Sequence, residues 1–359
     1  MKKRIFLMRP VLDNNEIIAV KKVFDSKFLT EGNVTRTFEK KVARYTHSKY
    51  AIATTSATTA LHAAFESVNV KNKKVIVSDF TFPATALAVI QAGGIPVLVD
   101  VQRDTMNVSR DIIERSEQKY KFICPVSLFG NPLHEDFYKL KNAGSIIIED
   151  AATNLGVKIR NKYVGNLADI TCFSFHPRKI ITTGEGGMIT TNNKKFNDLI
   201  RSFKAFGKIG SKFMNLGTNY KLSDIQSAIG ISQIDKIEKI IKKRKEMANI
   251  YDELINKIEH VEYQKKTPNS RHTYQSYVCV ISKPNLRNKI IQKLAENNIE
   301  SQIGTYALHC LPIFKKMSKA GKLTNSEYLY KNSISLPLHE EINISDQEKI
   351  CKIIKKCIN

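Results

Sequence analysis

The sequence predicts an α/β fold with a mainly parallel sheet flanked by helices. Short apolar runs rich in β-branched residues alternate with stretches of helical periodicity, and three such runs occupy residues 95–100, 122–127 and 145–150. This alternation favours parallel strands joined by right-handed crossovers. The 359 residues also exceed what one compact core usually holds. We therefore expect a large domain over residues 1–235 and a smaller C-terminal α+β domain over residues 236–359.

The first part of the chain follows this alternation closely. Apolar residues at helical spacing predict an amphipathic helix over residues 12–28 and a second helix over residues 34–45. A loop of residues 29–33 separates the two helices. Strands are predicted over residues 50–54 and 74–79, and residues 80–85 lead from the second strand into another helix.

Small hydroxyl residues follow the strand of residues 50–54. Residues 55–62 read Thr-Ser-Ala-Thr-Thr-Ala-Leu-His and open a helix. Such side chains supply an N-cap, and the free backbone N–H groups of a helix N-terminus attract anions. Two interpretations remain open here, a plain helix cap and a phosphate site at Ala57 and Thr58.

Residues 145–191 hold the candidate chemistry. The apolar strand that ends at Asp150 places a carboxylate at the carboxyl edge of a parallel sheet, where α/β folds bind ligands. A second strand ends near Phe175, and Lys179 follows it. The small residues of the run Thr-Thr-Gly-Glu-Gly-Gly at 182–187 let the backbone of this turn pass close to the site. Taken singly, Asp150 is also compatible with a helix N-cap and Lys179 with a surface lysine.

Composition excludes several classes of protein. The formal net charge is +23, but lysine is spread along exposed helix positions without a nucleic-acid-binding motif, so we expect no nucleic-acid partner. The charge reflects either a lysine-rich composition or a basic cleft that attracts an anionic substrate. The most basic segment, residues 236–245, is interpreted as the solvated face of a helix. No G-x-G-x-x-G motif supports a dinucleotide fold.

Cysteine usage and hydropathy predict a soluble, cytoplasmic protein. The six cysteines show no C-x-x-C spacing, so we expect free thiols in a reducing compartment and no metal site. Too few apolar residues follow the basic N-terminus for a signal peptide. No apolar stretch approaches the ~18 residues of a membrane helix. The cysteines are Cys124, Cys172, Cys279, Cys310, Cys351 and Cys357.

The C-terminal part is predicted from periodicity and helix caps. We expect a long lysine-rich helix over residues 231–255, a strand over residues 278–281 and a helix over residues 288–297. Ser223 and Ser345 are predicted to cap the helices that follow them. The closing helix carries an apolar face of Ile350, Ile353, Ile354 and Cys357.

Three ordered motifs resemble the DegT/DnrJ/EryC1/StrS family of pyridoxal-phosphate (PLP) aminotransferases, which make amino sugars on nucleotide carriers. They are Glu-Asp-Ala-Ala at residues 149–152, Ser-Phe-His-Pro-Arg-Lys at 174–179 and Thr-Thr-Gly-Glu-Gly-Gly at 182–187. A Gly-Thr-Asn-Tyr-Lys run at 217–221 and a Leu-Pro-Leu element at 336–338 extend the resemblance over nearly the whole chain. The resemblance implies a fold-type-I PLP enzyme.

The resemblance also implies roles around the cofactor. Lys179 becomes the amine that bonds to PLP and moves protons once displaced, and Asp150 becomes the carboxylate against the pyridine nitrogen. Phe82 is expected to stack on the ring, with a core phenylalanine as the alternative. Asn219 is expected to reach the phosphate bound by a partner subunit, which implies a homodimer with shared sites. Further cofactor contacts are expected from Ala57, Thr58, Thr153 and Ser174.

Some positions depart from the family's pattern or keep an ordinary alternative. Thr153 stands where relatives carry a longer glutamine that contacts the ring hydroxyl side of PLP. Lys221 replaces an arginine, which keeps the charge and loses the planar fork. Structural roles remain open for the residues expected to contact substrate, which are Thr30, His176, Glu185, Tyr306 and His309.

The resemblance implies that an amino group passes from glutamate to a nucleotide-diphosphate keto sugar in amino-sugar and surface-polysaccharide biosynthesis. The motif at 182–187 looks more like enzymes that aminate C4 of a 4-keto-6-deoxyhexose than like the C3 enzymes. Related 3-dehydratases carry histidine in place of Lys179, so we expect transamination here. The alternatives are a C3 aminotransferase of the same family and a PLP-binding sensor or regulator without turnover.

Overall fold

The computed structural model describes residues 4–115 and 119–359, so the basic residues Lys2 and Lys3 lie outside it. In these ranges no helix combines the length and apolar character that a bilayer crossing requires. Three short 3₁₀ helices span Glu135–Ala143, Leu308–Cys310 and Pro312–Phe314. The α-helices, α1 to α11, span Asn14–Ser26, Asn33–Thr46, Ala57–Val68, Ala84–Gln91, Arg110–Glu114, Lys194–Lys204, Asp224–Asp235, Ile237–Ile255, Leu286–Glu296, Thr324–Asn332 and Ile344–Ile358.

The strands include several of only two residues. In chain order β1 to β19 span Tyr50–Thr54, Lys74–Ser78, Phe80–Thr81, Ile95–Val99, Phe122–Cys124, Ile146–Asp150, Lys158–Ile159, Lys162–Tyr163, Ile170–Ser174, Gly187–Thr191, Lys208–Ile209, Lys212–Phe213, Val261–Tyr263, Ser270–Arg271, Tyr277–Ile281, Gln302–Ile303, Tyr306–Ala307, Ser318–Lys319 and Ser333–Leu336.

The large sheet has eight strands in the order β1-β10-β9-β6-β5-β2-β4-β18. Its strands pair in parallel from β9 to β18, whereas β10 runs antiparallel to both β1 and β9. In β2, Val75 and Val77 join one apolar cluster and Ile76 joins another, because successive strand side chains point to opposite faces. Both faces are therefore covered, and the prediction of an α/β fold with a mainly parallel sheet is confirmed.

The C-terminal part builds a second, antiparallel sheet. Its four strands lie in the order β13-β15-β19-β16. Strands β13, β15 and β19 share one apolar cluster with α8, α9 and α11. Ile5 packs into the same cluster and forms a β-bridge with Ile299. The beginning of the chain thus contacts the C-terminal sheet, and the domain boundary at residue 235 stays a prediction.

The helices α7 and α11 are both capped at their N-termini by side-chain hydrogen bonds. Ser223 caps α7, because its hydroxyl accepts the backbone N–H of Gln226 at 3.2 Å, as predicted. Ser345 is not a cap, so that prediction is wrong. Asn343 caps α11 instead, since it stands three residues before Asp346 and the two exchange hydrogen bonds in a capping box.

The single helix predicted over residues 231–255 is two helices, α7 and α8, that meet at Lys236. At this residue the backbone leaves the α conformation, with φ −106° and ψ 4°. The Lys236 ammonium pairs with the carboxylate of Glu16 in α1 at 2.7 Å. The break therefore lies where the chain contacts the N-terminal helix, which helical periodicity alone does not reveal.

Arg244 corrects the interpretation of residues 236–245 as a solvated face. Its side chain is buried, and its guanidinium donates to the backbone oxygens of Gln275 and Leu338 at 3.1 Å each. Carbonyl oxygens from distant segments thus replace water around this charge. The four lysines of α8 in this segment are exposed, as expected for a solvated face: Lys239, Lys242, Lys243 and Lys245.

Helix α1 forms as predicted, but of its large apolar side chains Val23 is buried while Ile17, Ile18 and Phe24 are exposed. Ile17 is 68% exposed and Phe24 56% exposed, whereas Glu16 is buried. Large apolar patches are uncommon on the surfaces of monomeric proteins. We call this surface the α1 patch, formed by Leu12, Ile17, Ile18, Phe24, Phe28 and Leu29.

Candidate active site

A cavity of about 640 Å³ opens at the carboxyl ends of the parallel strands. It lies between the large sheet and segments of the C-terminal part that include Gln275 and Gln302. Most of the residues proposed from the sequence line this one space, namely Ala57, Thr58, Phe82, Asp150, Thr153, Ser174, His176, Lys179, Glu185 and Tyr306.

Asp150 is the last residue of β6 and presents its carboxylate to the cavity. Its Oδ2 accepts the hydroxyl of Thr85 at 2.7 Å, and its Oδ1 accepts the backbone N–H of Ala152 at 3.1 Å. Burial raises the pKa of Asp150, while these two hydrogen bonds and the charge of Lys179 act in the opposite direction. The carboxylate is oriented by the protein and directed toward a positive partner.

Lys179 lies in the loop after β9, where its backbone N–H donates to the carbonyl of His176 at 2.8 Å. Burial lowers the pKa of Lys179, the Asp150 carboxylate opposes this shift, and the Arg178 guanidinium adds to it. A lysine with a lowered pKa holds a larger share of neutral amine, which is the form that acts as nucleophile and base.

The first turn of α3 meets β10 at this cavity. Ser56 caps the helix by accepting the Thr59 N–H at 3.1 Å, so the two N–H groups ahead of it, at Ala57 and Thr58, have no described partner. A Cβ on Gly187 would lie 2.3 Å from the Ser56 carbonyl oxygen, so glycine is needed for this approach. Gly187 pairs in register with Ser174.

This arrangement fits a phosphate group. Free N–H groups, the positive end of the helix dipole and the Ser174 hydroxyl converge beside Gly187. The cap interpretation and the anion-site interpretation are thus compatible, because the Ser56 side chain supplies the cap while the backbone of the next two residues stays free.

An aromatic pair forms the opposite wall. Phe82 is 62% exposed and lines the cavity, so it is not the core phenylalanine of the alternative interpretation. Its ring centre lies 6.1 Å from that of Tyr306, and the strand β17 that carries Tyr306 pairs with β3 just before Phe82. An exposed aromatic face in a cavity is suited to stack on a planar ring.

Thr153 and Glu149 belong to one hydrogen-bond network behind the cavity. The Thr153 hydroxyl lies 2.9 Å from the Ser127 carbonyl oxygen, and the Ser127 hydroxyl donates to Glu149 at 2.8 Å. Tyr138 donates to the other oxygen of Glu149 at 2.9 Å. Burial raises the pKa of Glu149 to about 7, and the two hydroxyl donors oppose this shift. Glu149 is a residue that sequence reasoning left without a role.

His176 and Glu185 lie at the mouth of the cavity. The ring Nδ1 of His176 accepts the backbone N–H of Arg178 at 3.1 Å, so the neutral ring carries its proton on Nε2. That nitrogen lies 3.9 Å from a carboxylate oxygen of Glu185. Burial lowers the pKa of His176, with the Glu185 charge acting against it.

Three of the predicted residues do not line this cavity. Thr30 lies in an exposed loop, which is tethered where Glu31 pairs with the buried Lys204 at 2.7 Å. Asn219 is exposed, and its backbone forms an isolated antiparallel β-bridge with Ala205. The ring Nδ1 of His309 lies 2.6 Å from a carboxylate oxygen of the buried Asp79, within hydrogen-bond distance. The roles of Thr30, Asn219 and His309 stay predictions.

Thr85 and Arg178 are two polar residues in or next to the cavity wall to which the sequence analysis gave no role. Thr85, which orients Asp150, lies three residues after Phe82 in the run Thr-Phe-Pro-Ala-Thr at residues 81–85, so it could have been found beside that aromatic residue. Arg178 lines the cavity, but the neighbouring sequence does not indicate toward which side of the chain its side chain extends.

Comparisons with known proteins place these observations in a family. The sequence model of the DegT/DnrJ/EryC1/StrS aminotransferase family matches residues 10–355. The chain is 32% identical to the GDP-perosamine synthase of Escherichia coli O157:H7 over 99% of this chain and 98% of that protein. It is 31% identical to the UDP-4-amino-4,6-dideoxy-N-acetyl-beta-L-altrosamine transaminase of Campylobacter jejuni, over 93% and 92% of the two chains.

Solved structures agree with this assignment. PseC of Helicobacter pylori, an aminotransferase involved in the biosynthesis of pseudoaminic acid, superposes with a TM-score of 0.93 at 26% identity over 99% of each chain. Spr1654 of Streptococcus pneumoniae, solved in its PMP form, superposes with a TM-score of 0.93 at 25% identity over 99% of this chain and 98% of that one.

Proposed function

Because this chain belongs to the DegT/DnrJ/EryC1/StrS aminotransferase family, we propose that it transfers the amino group of glutamate to C4 of a nucleotide-linked 4-keto-6-deoxyhexose. The product would be an amino sugar for polysaccharide biosynthesis. The observation that carries the proposal is the meeting of Lys179, Asp150 and the free N-terminus of α3 in one cavity.

The enzyme is a PLP-dependent aminotransferase. When bound, PLP supplies an electron sink that acidifies the α-hydrogen of an amino donor. The residues present fit this cofactor. The N–H groups of Ala57 and Thr58 with the Ser174 hydroxyl would hold its phosphate, Asp150 would face the pyridine nitrogen, and Phe82 would cover the ring.

The chain's own residues provide the proton transfers. Lys179 Nζ, whose pKa burial lowers, takes the proton from the donor's α-carbon and later returns one on the acceptor side. Asp150, held by Thr85, keeps a negative charge where a protonated ring nitrogen needs it. Phe82 and Tyr306, whose ring centres lie 6.1 Å apart, would pack against the bound ring and its substrate.

Amination at C4 is supported by the relatives. The Campylobacter jejuni transaminase is named for a 4-amino-4,6-dideoxy sugar, and that protein is 31% identical to this chain. The run Thr-Thr-Gly-Glu-Gly-Gly at residues 182–187 also looks more like C4 enzymes than like C3 enzymes. Gly187 of this run is needed for the approach of α3 to β10, so part of the motif serves cofactor binding.

A homodimer is part of the proposal. The α1 patch is exposed in a single chain, and a second exposed apolar surface surrounds the hairpin of β11 and β12. Asn219 follows this hairpin and lies outside its own cavity, as expected of a residue that reaches the partner's cofactor. Pairing two copies would remove both apolar surfaces from water. The exposed residues of the hairpin surface are Phe206, Ile209, Phe213, Met214 and Leu216.

The cytoplasm is the proposed location. Cys124, Cys172, Cys279 and Cys351 are buried free thiols, which suits a reducing compartment.

The proposal is tested by incubating the PLP-loaded enzyme with glutamate and UDP-, dTDP- and GDP-linked 4-keto-6-deoxyhexoses. We expect one of these sugars to gain nitrogen at C4, located by NMR of the product, with one 2-oxoglutarate formed per amino sugar. Nitrogen at C3 would replace the C4 assignment. A cofactor spectrum that does not respond to glutamate, with no amino sugar from any substrate, would favour a sensor without turnover.

A further inference from the structure

A second cavity of about 420 Å³ adjoins the active-site cavity. The two share Leu7, Arg178 and Gln302 as lining residues, so Arg178 stands at their junction. The second cavity is also lined by Arg4, by Ala295 at the C-terminal end of α9 and by Asn298 and Ile299 beyond it. A ligand longer than the first cavity could therefore extend past Arg178 into the second.

The charge of Arg178 has no counter-ion among the described residues. Its side chain is exposed, and Nη1 donates to the neutral amide oxygen of Gln302 at 2.8 Å. No described carboxylate oxygen lies within 4.0 Å of its guanidinium nitrogens. Most of its five N–H groups thus remain available in a planar fork, which matches the geometry of phosphate oxygens.

The other charged groups of the second cavity are already paired. Glu300 is the only acidic side chain among its lining residues in the described chain, and it accepts from Arg4 at 2.7 Å and from the backbone N–H of Leu7 at 3.0 Å. Both carboxylate oxygens therefore have partners, and little negative charge opposes an incoming anion. The buried hydroxyl of Ser301, in the same lining, has no hydrogen-bond partner in the described chain.

The backbone of Arg178 is held from two directions. Its carbonyl oxygen accepts the side-chain amide of Gln275 at 2.6 Å, and its N–H donates to the ring of His176 at 3.1 Å. Arg178 is also the immediate neighbour of Lys179. These contacts set the guanidinium at a defined position relative to the reactive amine.

We propose that Arg178 holds the diphosphate of the nucleotide-sugar substrate and that the second cavity receives the nucleoside. This inference rests on the proposed function. In a nucleotide hexose the diphosphate is attached at C1, across the ring from C4. A hexose whose C4 approaches Lys179 therefore directs its diphosphate away from that amine, toward the cavity junction. Arg178 is then a specificity residue that binds the acceptor substrate and takes no part in the reaction with glutamate.

The experiment compares Arg178→Gln with the wild-type holoenzyme and with Arg160→Gln. Arg160 is an exposed arginine paired with Glu135 at 2.7 Å and lines neither cavity, so its replacement removes the same charge elsewhere. UDP, dTDP and GDP are titrated into each protein by calorimetry. The reaction with glutamate alone is followed separately by the cofactor absorbance in a stopped-flow instrument.

For Arg178→Gln we expect the nucleoside diphosphate that binds wild type best to lose about 10- to 100-fold in affinity, the range for a hydrogen-bonded charge. The rate with glutamate should change much less than the nucleotide affinity, because the charge of Arg178 only adds to the effect of burial on the pKa of Lys179. Arg160→Gln should match wild type in both measurements. Arg178→Lys should recover part of the affinity, because it restores the charge without the fork.

Two results would overturn the inference. Unchanged nucleoside-diphosphate affinity in Arg178→Gln would exclude the diphosphate contact. A slower reaction with glutamate, at unchanged nucleotide affinity, would assign Arg178 to the donor's carboxylate. Failure of the proposed function can be distinguished from failure of this inference. If nucleotide binding depends on Arg178 but no keto sugar is aminated, the diphosphate contact is supported and the proposed transferase activity is rejected.

Discussion

The hydroxyl of Thr85 donates a 2.7 Å hydrogen bond to Oδ2 of Asp150. The two residues are 65 positions apart in the chain, and α4 carries Thr85 to the end of β6. This contact leaves the rest of the carboxylate facing the cavity and acts against the rise in its pKa that burial causes. Thr85 thus orients the carboxylate that we propose faces the cofactor's ring nitrogen, without lining the cavity itself.

Thr85→Val should weaken cofactor binding. Valine keeps the size of the side chain and removes the donor, so the pKa of Asp150 should rise further and its charge should be less available to a ring nitrogen. We expect the affinity for PLP to fall by about tenfold, from the loss of a hydrogen bond to a charged group. Titration of apoenzyme with PLP measures this. Thr85→Ser keeps the hydroxyl and should bind as wild type does, and equal affinities for all three proteins would contradict the orienting role.

Lys179→Ala should abolish transamination and leave the fold intact. Burial lowers the pKa of this lysine, so its charged form is disfavoured in the folded state and truncation removes that penalty. We expect no 2-oxoglutarate from glutamate, with a circular-dichroism spectrum and unfolding midpoint like those of wild type. Lys162→Ala, at an exposed position in β8, is the matched control and should keep full activity. Retained turnover by Lys179→Ala would reject the assignment.

Glu149→Gln should stabilise the protein at high pH. Burial raises the pKa of Glu149 from 4.5 to about 7, so the folded state holds its proton more tightly than the unfolded state does. The contribution of Glu149 to the stability of the wild type should therefore fall as the pH rises from about 4.5 to about 7, by on the order of 3 kcal/mol, and stay level above that range.

The glutamine variant lacks this titration, so its unfolding free energy relative to wild type should increase across the same pH range. Urea unfolding of both proteins at pH 5 and pH 8.5 measures the difference. Glutamine can still accept from Ser127 or Tyr138, and a difference between the two proteins that does not change with pH would show that Glu149 is ionised at both values.

Asn219→Ala should weaken PLP binding through the neighbouring subunit. Asn219 is exposed and outside the cavity of its own chain, so any contact with the cofactor must come from another copy. If Asn219→Ala and Lys179→Ala chains are mixed, unfolded and refolded together, the heterodimer should contain one site with both residues intact. We expect such mixtures to recover part of the wild-type activity, while each variant alone stays low. Recovery absent at every ratio would place Asn219 in a different role.

Much of the site was predictable because its motifs are short and local. The N-cap of α3, the acid at the end of β6 and the lysine after β9 depend on hydrogen bonds and periodicity within about ten residues. Parallel strands end at the same edge of a sheet, so predicting the strands also brought Asp150 and Lys179 together. The sequence by itself therefore determined the fold class and the family, and it named Asp150 and Lys179 as the pair that we propose takes part in the reaction.

Only the tertiary structure decided which charges are shared with distant segments. Arg244 lies in a lysine-rich helix, and nothing in the neighbouring sequence distinguishes it from the exposed lysines. It is nevertheless buried against carbonyl oxygens from residues up to 94 positions away. The position of the Arg178 guanidinium likewise depends on its hydrogen bond to Gln302, which is 124 positions away, and both residues line the two adjoining cavities. Periodicity reports which face of an element is apolar, whereas the partner of a charge depends on which segments the completed fold places beside it.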